Sequence, residues 1–217
     1  MDKDGIFVYG EEELQYLRTR CKKMAWAIDR LGKIERRTNS DVFSSLVYSV
    51  VGQQVSMSVH KVLWERLQNK CGDVNPVSLS ELTVEEIRNV GLSNNKAVYV
   101  KGIAEAFASG NIDINVLKSM SDENAIKELT KLKGVGRWTA EMLLLFSLQR
   151  KDILSYDDLA IQRGLRMLYH HRKITKELFA KYKRRYSPYG SIASFYLWAI
   201  AGNNIPELRD PKPHKKN

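Results

Sequence analysis

The chain has 217 residues, of which 43% are hydrophobic, and this is sufficient for one large or two small globular domains rather than a disordered chain. Its 35 lysines and arginines exceed its 25 aspartates and glutamates, which gives a formal net charge of +10 and a pI of about 9.5. No apolar run could span a membrane, no secretion signal is evident, and two cysteines are too few for a disulfide scaffold or an iron–sulfur cluster, so we expect a cytoplasmic protein.

Helical periodicity dominates the chain, and no alternating strand pattern with a hairpin signal appears. We therefore predict an all-α protein of nine or ten helices. Asn39 and Ser40 form a predicted N-cap, and Thr83 opens a capping-box pattern that ends at Gly91. The predicted helices cover residues 11–33, 41–54, about 56–70, a short segment after 83, 94–108, about 122–131, 137–149, 158–169, 175–186, and 187 to about 201.

The positive charge is concentrated in the last third of the chain. Residues 1–150 carry a net charge of +2, whereas residues 151–217 carry +8. Such a distribution suits a polyanion, most often nucleic acid, although a solvated surface would look the same. The basic residues concerned are Arg163, Arg166, Arg172, Lys173, Lys181, Lys183, Arg184, Arg185 and the lysines at 212–216.

The segment Leu132-Lys133-Gly134-Val135-Gly136 joins two predicted helices. Two glycines spaced by one residue allow a tight turn and the close approach of another molecule. The backbone amides of Gly134, Gly136 and Arg137 would lie at the start of the second helix, where free N–H groups and partial positive charge suit a phosphate. An ordinary tight turn between helices is the alternative, because such turns also favour glycine.

Two adjacent carboxylates, Asp157 and Asp158, precede an apolar and basic helix about twenty residues after the hairpin. Either of them can serve as a helix N-cap. Alternatively, an ionised carboxylate held at a cleft can stabilise an oxocarbenium ion and orient a water molecule, as in glycoside hydrolysis. Release of a base from deoxyribose is the N-glycosidic version of that reaction.

The hairpin and the aspartate pair together resemble the helix–hairpin–helix DNA glycosylase superfamily. The resemblance is carried by Leu132-Lys-Gly-Val-Gly-Arg-Trp-Thr-Ala-Glu-Met142, followed by Asp157-Asp158-Leu159. Further matches, in the same order as in the family, are Val51-Gly-Gln-Gln-Val-Ser56 and Gly91-Leu-Ser93 before Lys96. Within the superfamily, the chain looks most like the 3-methyladenine DNA glycosylase II (AlkA-like) group.

The resemblance implies two helical lobes with a DNA-binding cleft between them. One lobe would comprise residues 41–149, and the other would comprise residues 1–40 together with 150–217. Larger family members add an N-terminal β domain, which we do not expect here. The implied protein is a monomer that binds double-stranded DNA containing damaged bases, with no membrane partner.

The resemblance also implies roles for individual residues. Asp158 matches the catalytic aspartate, and Asp157 would be a cap or a solvent-facing neighbour. Trp138 stands where bifunctional relatives carry a Schiff-base lysine, so the enzyme is expected to be monofunctional and to leave the abasic site uncut. The implied base pocket consists of Trp138, Gln53, Met142 and Tyr156. The implied DNA-contacting residues are Gly134, Gly136, Arg137, Thr139, Lys133, Gln54, Val55, Ser56, Ser93 and Lys96.

The wedge that fills the gap left by a flipped nucleotide would be one of Gln54, Val55 and Ser56. No cofactor is implied for catalysis, and no iron–sulfur cluster. The backbone carbonyls of Thr130, Leu132 and Gly134 match those that hold a structural Na⁺ or K⁺ in relatives. Two departures concern the substrate range, because Ser155 replaces a proline that is usual in relatives and Met142 replaces a tyrosine found in some of them.

The implied function is excision of alkylated purines, such as 3-methyladenine and 7-methylguanine, from duplex DNA during base excision repair. Base flipping is required because the glycosidic bond is unreachable inside the stack. The basic last third would then hold phosphates beside Asp158. Two alternatives remain open, namely a glycosylase for etheno, deaminated or oxidised bases, and a non-catalytic helix–hairpin–helix DNA-binding module.

Overall fold

The computed structural model describes residues 4–211, so the lysines at 212–216 lie outside the described part. Within it, thirteen helices and one two-stranded sheet confirm the all-α prediction. None of these helices is long and apolar enough to cross a membrane. The elements are β1 (Asp4–Ile6), α1 (Glu11–Arg20), α2 (Lys22–Leu31), β2 (Arg37–Asn39), α3 (Val42–Gly52), α4 (Met57–Cys71), α5 (Pro76–Glu81), α6 (Val84–Arg88), α7 (Asn94–Ala108), α8 (Ile114–Ser119), α9 (Asp122–Leu129), α10 (Arg137–Phe146), α11 (Leu159–Tyr169), α12 (Lys176–Tyr186) and α13 (Gly190–Ala201).

The prediction of one continuous helix over residues 11–33 is wrong, because the chain breaks at Cys21. The backbone of Cys21 is extended, with φ −157° and ψ 110°, and its side chain is buried. Its Sγ atom accepts a hydrogen bond from the backbone N–H of Met24 at 3.4 Å, so that Cys21 is the N-cap of α2. A buried cysteine fits a helical apolar stripe equally well, which explains the error.

Further differences concern short elements and caps. Helices α5 and α8 and the β1–β2 sheet were not predicted, because six and three residues are too few to show a period. The N-cap of α3 is Asp41, whose carboxylate accepts from Ser44 N at 3.0 Å, and not Asn39 or Ser40. The capping box at Thr83 is confirmed, since Thr83 and Glu86 each bond the other's backbone N–H.

The first compact unit comprises Asn39–Leu148. Helix α3 is its central element, with fully buried Leu46, Val47 and Val50, and it packs against α4, α7 and α10. Helix α7 also packs against α5 and α6, while α9 packs against α10. The loop after α3 and the glycine-rich turn before α10 therefore belong to one packed body.

The second compact unit comprises Asp4–Thr38 and the described chain from Gln149 onward. Helix α13 is buried along almost its whole length and packs against α1, α2, α11 and α12. Its contact with α11 is close, because a Cβ atom at Gly164 would lie 2.3 Å from the carbonyl oxygen of Leu197.

We predict that Gly164→Ala lowers the free energy of unfolding by about 1–3 kcal/mol, because the added methyl group forces α11 away from α13. The matched control is Gly102→Ala in α7, where a Cβ atom would meet nothing within 4 Å. That control gains helix propensity and should raise stability by up to about 1 kcal/mol. Urea unfolding of both variants measures the difference, and equal stabilities would contradict the close contact.

Candidate functional site

The glycine-rich turn between α9 and α10 requires glycine at one position in particular. Gly134 has φ +86°, and a Cβ atom there would lie 2.4 Å from the ring of Tyr99. The backbone N–H of Val135 donates to Leu132 O at 3.1 Å and closes the turn. Gly136 is the N-cap of α10, and a Cβ atom there would meet nothing within 4 Å. Because Gly136 has no side chain, the backbone N–H groups at the start of α10 are not covered by their own N-cap residue. A phosphate site needs such accessible N–H groups.

Gln53, which follows α3, joins this turn. Its Nε2 donates to Gly134 O at 2.9 Å. The side chain of Lys96 on α7 reaches the same loop, because its Nζ donates to Val51 O at 2.9 Å and also to Gln53 O. Burial lowers the pKa of Lys96 from its usual value. Lys96 was predicted to contact phosphate, and the structure places its ammonium on the carbonyls at the end of α3.

Helix α7 thus holds the α3 loop and the hairpin together, through Lys96 and Tyr99 respectively. Ser93, another predicted phosphate contact, is the N-cap of α7, and its Oγ accepts from Lys96 N at 3.4 Å. Tyr99 carries no signal in the sequence that would mark it, because its role depends on the left-handed backbone of Gly134. Lys96 follows the capping serine, Ser93, by three residues. This spacing is a sequence signal that could have predicted the capped first turn of α7.

The three predicted wedge residues differ in exposure. Gln54 is exposed and has φ +56°, which is uncommon for a residue with a Cβ atom. Val55 is half-buried, and Ser56 is the N-cap of α4, with its Oγ accepting from Val59 N at 3.4 Å. Met57, which the sequence did not single out, is 77% exposed on the first turn of α4.

The predicted DNA-contacting residues in the first turn of α10 and in the turn before it differ in their burial and in their partners. The guanidinium of Arg137 is held by Glu123, at 3.0 and 2.8 Å, and by Glu141 Oε1 at 3.0 Å, and these carboxylates raise the pKa of Arg137. Arg137 can therefore offer a phosphate its backbone amide more readily than its side chain. Thr139 is buried, whereas Lys133 in the turn is exposed.

Of the predicted pocket residues in this unit, Trp138 is 42% exposed and Met142 is half-buried. Trp138 follows the N-cap of α10 by two residues, so its ring leaves the helix in the first turn. A large aromatic ring with this exposure is available to a ligand. The prediction that it lines a base pocket stays a prediction.

In the second unit, Asp158 is the residue that caps α11. Its Oδ1 accepts the backbone N–H groups of Ala160 and Ile161, both at 2.9 Å, and the residue is 7% exposed. Asp157 is exposed, so the two adjacent carboxylates are in opposite environments. The amides at the helix N-terminus orient the Asp158 carboxylate and favour an anionic group at this position.

The surroundings of Asp158 include one further apolar residue. Leu159, next in the chain, is 79% exposed, which is unusual for leucine and was not predicted. Tyr156 packs edge-on against Phe179 at 5.2 Å between ring centroids, and its carbonyl accepts from Gln162 Nε2 at 2.6 Å. Ser155 is fully buried, and its Oγ has no hydrogen-bond partner among the described residues.

The turn also contains the three carbonyls that were predicted to hold a monovalent cation. Leu132 O accepts from Val135 N, and Gly134 O accepts from Gln53 Nε2. A carbonyl oxygen has two lone pairs, so each of these two keeps one, and the Na⁺ or K⁺ site at this turn stays a prediction. Among residues 4–211, no group of three or more His, Cys, Asp and Glu side chains could hold a metal ion.

Comparison with known proteins identifies the family of the chain. The family model described as HhH-GPD superfamily base excision DNA repair protein matches residues 47–188, a range that includes Gln53, the hairpin, Trp138 and Asp158. A DNA-3-methyladenine glycosylase 1 from Schizosaccharomyces pombe is 35% identical over 180 residues, which cover 81% of this chain and 78% of that protein.

Two solved structures have similar folds. The DNA-3-methyladenine glycosidase of Bacillus halodurans superposes with a TM-score of 0.86 at 31% identity, over 94% of this chain and 95% of that one. The 3-methyladenine DNA glycosylase Mag1 of S. pombe, in complex with abasic DNA, gives 0.74 at 29% identity, over 88% and 97%. The chain therefore belongs to the HhH-GPD superfamily of base excision DNA repair proteins.

Proposed function

We propose that the chain is a monofunctional DNA glycosylase that releases alkylated purines, such as 3-methyladenine and 7-methylguanine, from duplex DNA, and that it acts as a monomer. The observation that carries the proposal is the buried carboxylate of Asp158, oriented by two backbone amides at the start of α11 within the matched family region. The names of the similar proteins support alkylated bases as the substrate class.

In the proposed reaction, the bond between the purine nitrogen and C1′ of the sugar breaks, and its electron pair leaves with the base. An alkylated purine carries positive charge, so it departs as a neutral molecule and is a good leaving group. The negative charge of Asp158 stabilises the oxocarbenium ion that develops at C1′. Water adds to C1′ and loses a proton, which leaves an abasic site.

Trp138 and the hairpin have separate parts in the proposal. The face of Trp138 attracts the positively charged base by a cation–π interaction, worth about 0.5–2 kcal/mol. The amides of Gly134, Gly136 and Arg137, with Lys133, bind a backbone phosphate, and a monovalent cation on the carbonyls of the turn would add to that contact. No lysine stands at position 138 to form a Schiff base, so strand cleavage is not part of the reaction.

Among the wedge candidates, we propose Gln54. Its side chain is exposed on a left-handed residue, while the hydroxyl of Ser56 is engaged as a helix cap and Val55 is half-buried. The loop that carries Gln54 is held by Lys96 through the carbonyls of Val51 and Gln53. A wedge requires a fixed base of this kind, because it must displace stacked bases at a cost of a few kcal/mol.

Asp158→Asn should reduce base release by about two to three orders of magnitude while duplex binding stays within a few-fold. Asparagine keeps an oxygen that caps α11, so the fold is preserved. Release of 7-methylguanine from methylated duplex DNA, followed by mass spectrometry, measures the rate. Asp157→Asn, a change in the exposed neighbour, is the matched control and should retain the wild-type rate.

Base release at the wild-type rate by Asp158→Asn would overturn the assignment of the catalytic group. Release by neither variant nor the wild-type protein, with DNA binding intact, would favour the non-catalytic module. Strand breaks in the wild-type reaction should appear only after alkali treatment, and breaks without alkali would contradict the monofunctional mechanism. A panel of duplexes with etheno, deaminated and oxidised bases separates the remaining glycosylase alternatives.

Trp138→Leu should lower the rate of 7-methylguanine release about 2- to 30-fold relative to Trp138→Phe, because phenylalanine keeps an aromatic face and leucine does not. The two variants have similar hydrophobic bulk, so the comparison isolates the aromatic contribution. Single-turnover release at saturating enzyme gives both rates. Equal rates would show that the ring does not attract the charged base.

Gln54→Ala should slow base release from a fully paired duplex about tenfold or more, and much less from a duplex in which the lesion lies opposite a mismatch. A wedge matters less where little pairing energy opposes flipping. The mismatched duplex is therefore the internal control, and both rates come from the same single-turnover assay. An equal loss in the two duplexes would assign Gln54 to general DNA binding instead.

A further inference from the structure

Two groups of basic residues in the second unit differ in their partners, and the charges of the first group are neutralised within the protein. Arg166 forms a bidentate pair with Asp210, with Nε–Oδ1 at 2.9 Å and Nη2–Oδ2 at 2.5 Å, and Arg163 lies 3.8 Å from the same carboxylate. Lys151 pairs with Glu13 at 2.5 Å. Lys151, Arg163 and Arg166 belong to the first part of the basic third. Their charges are paired with carboxylates of the protein itself.

The second group consists of Arg20, Lys181, Arg184 and Arg185, which we name the Arg20 cluster. Together with Thr19, these residues line a cavity of about 280 Å³. Within residues 4–211, no aspartate or glutamate oxygen lies within 4.0 Å of any of the four cationic groups. Four uncompensated positive charges around one open cavity repel each other and favour an anionic ligand.

The cluster is ordered by aromatic contacts rather than by acidic partners. The guanidinium of Arg185 lies 5.4 Å from the ring centroid of Tyr182 and 6.0 Å from that of Tyr169. Arg20 lies 5.8 Å from the ring of Tyr16. Arginines that stack on rings are already restricted in their conformations, so less side-chain entropy is lost when a ligand binds.

The tyrosines beneath the cluster do not neutralise it. Burial raises the pKa of Tyr182 to about 12, and burial also raises the pKa of Tyr169. The hydroxyl of Tyr169 is fixed between Tyr186 Oη at 2.6 Å and Cys21 Sγ at 2.8 Å. Both phenols therefore stay protonated and uncharged at neutral pH, and the net charge of the cluster remains positive.

Helix α11 relates the cluster to Asp158. Asp158 is the N-cap of this helix, and Tyr169, which contacts Arg185, is its last residue. Eleven residues at 1.5 Å each separate the two ends by about 16 Å. Arg185 therefore lies at the far end of α11 from Asp158, whereas the sequence analysis expects the basic last third to hold phosphates beside Asp158. The separation corresponds to about five base pairs of DNA.

We infer that the Arg20 cluster binds the phosphodiester backbone of duplex DNA outside the lesion. The inference rests on the proposed function in one respect, namely that duplex DNA is the ligand. The planar fork of arginine suits phosphate oxygens, and three of the four cations are arginines. The lining as described contains no tryptophan or tyrosine, the aromatic residues that together with arginine anchor protein–protein interfaces, and this favours DNA over an acidic protein as the occupant.

The test compares two double variants of α12 that remove the same charge. Lys181→Ala with Arg184→Ala removes two members of the cluster, both exposed. Lys176→Ala with Lys183→Ala removes two charges on another face of the same helix, about 140–160° from Lys181 and about 80–100° from Arg184. Thermal melting of both variants checks that the fold is intact. Binding to an undamaged duplex of about 30 base pairs, a length that exceeds the separation from Asp158 several-fold, is then measured against salt.

The cluster variant should lower the slope of log affinity against log salt by about 1–2, since each lost phosphate contact contributes about 0.9. The variant with Lys176→Ala and Lys183→Ala should lower it much less, because neither residue lines the cavity and the change affects only the general field. Equal slopes for the wild type and the cluster variant would overturn the inference and would favour an acidic protein as the occupant. Equal losses in both variants would also overturn it, because they would indicate diffuse attraction without a site.

The same proteins distinguish this inference from the proposed function. Release of a methylated base by the wild-type protein tests the glycosylase proposal alone. If no base is released but the slopes differ as expected, the proposed function falls and the cluster remains a DNA contact. If base is released and the slopes are equal, the proposed function stands and the cluster is not a DNA contact.

Discussion

The close contact between Gly164 and the backbone of Leu197 determines the position of α11, the helix that begins after Asp158. With no side chain at Gly164, α11 lies directly against α13, which is buried along almost its whole length. A helix is stiff, so this one contact sets both of its ends. Asp158 lies at one end, and Tyr169 with the Arg20 cluster lies at the other. The length of α11 sets the separation between the proposed reactive carboxylate and the cationic surface, and the contact at Gly164 holds the helix that carries both against α13.

The first unit uses the same principle with different chemistry. Helix α7 supports the loop after α3 through the ammonium of Lys96 and the hairpin through the ring of Tyr99. Gln53 then links the loop and the hairpin directly by its bond to Gly134 O. Segments that would otherwise be separate surface loops are held by three contacts in one packed body. Rigid support of this kind is what loops need when they carry a ligand-binding function.

The sequence was sufficient to predict the long helices, the hairpin and an aspartate as a helix cap before α11, because each has a local signal. Periodicity marks long helices, glycine marks a turn, and a carboxylate before an apolar helix marks a cap. The break at Cys21, the ammonium of Lys96 on two carbonyls and the grouping of Arg20 with Arg184 lack such signals. They depend on which distant segments meet, and that information is carried by packing rather than by neighbouring residues.

Asp158 begins a helix and is also the proposed reactive group, and this double use restricts which residues the position tolerates. Glutamate would keep the charge, but its longer side chain is a poor cap, and alanine would lose both properties. Most replacements therefore damage the architecture and the chemistry at once, so that genetic loss of repair at this codon would not by itself identify the reaction. The short side chain of Asp158 also has little freedom to rotate. Any rotation away from the two amides breaks the hydrogen bonds that Oδ1 accepts at the start of α11. Conformational freedom of the proposed reactive group is thus limited by the loss of a helix cap, which costs about 0.5–2 kcal/mol.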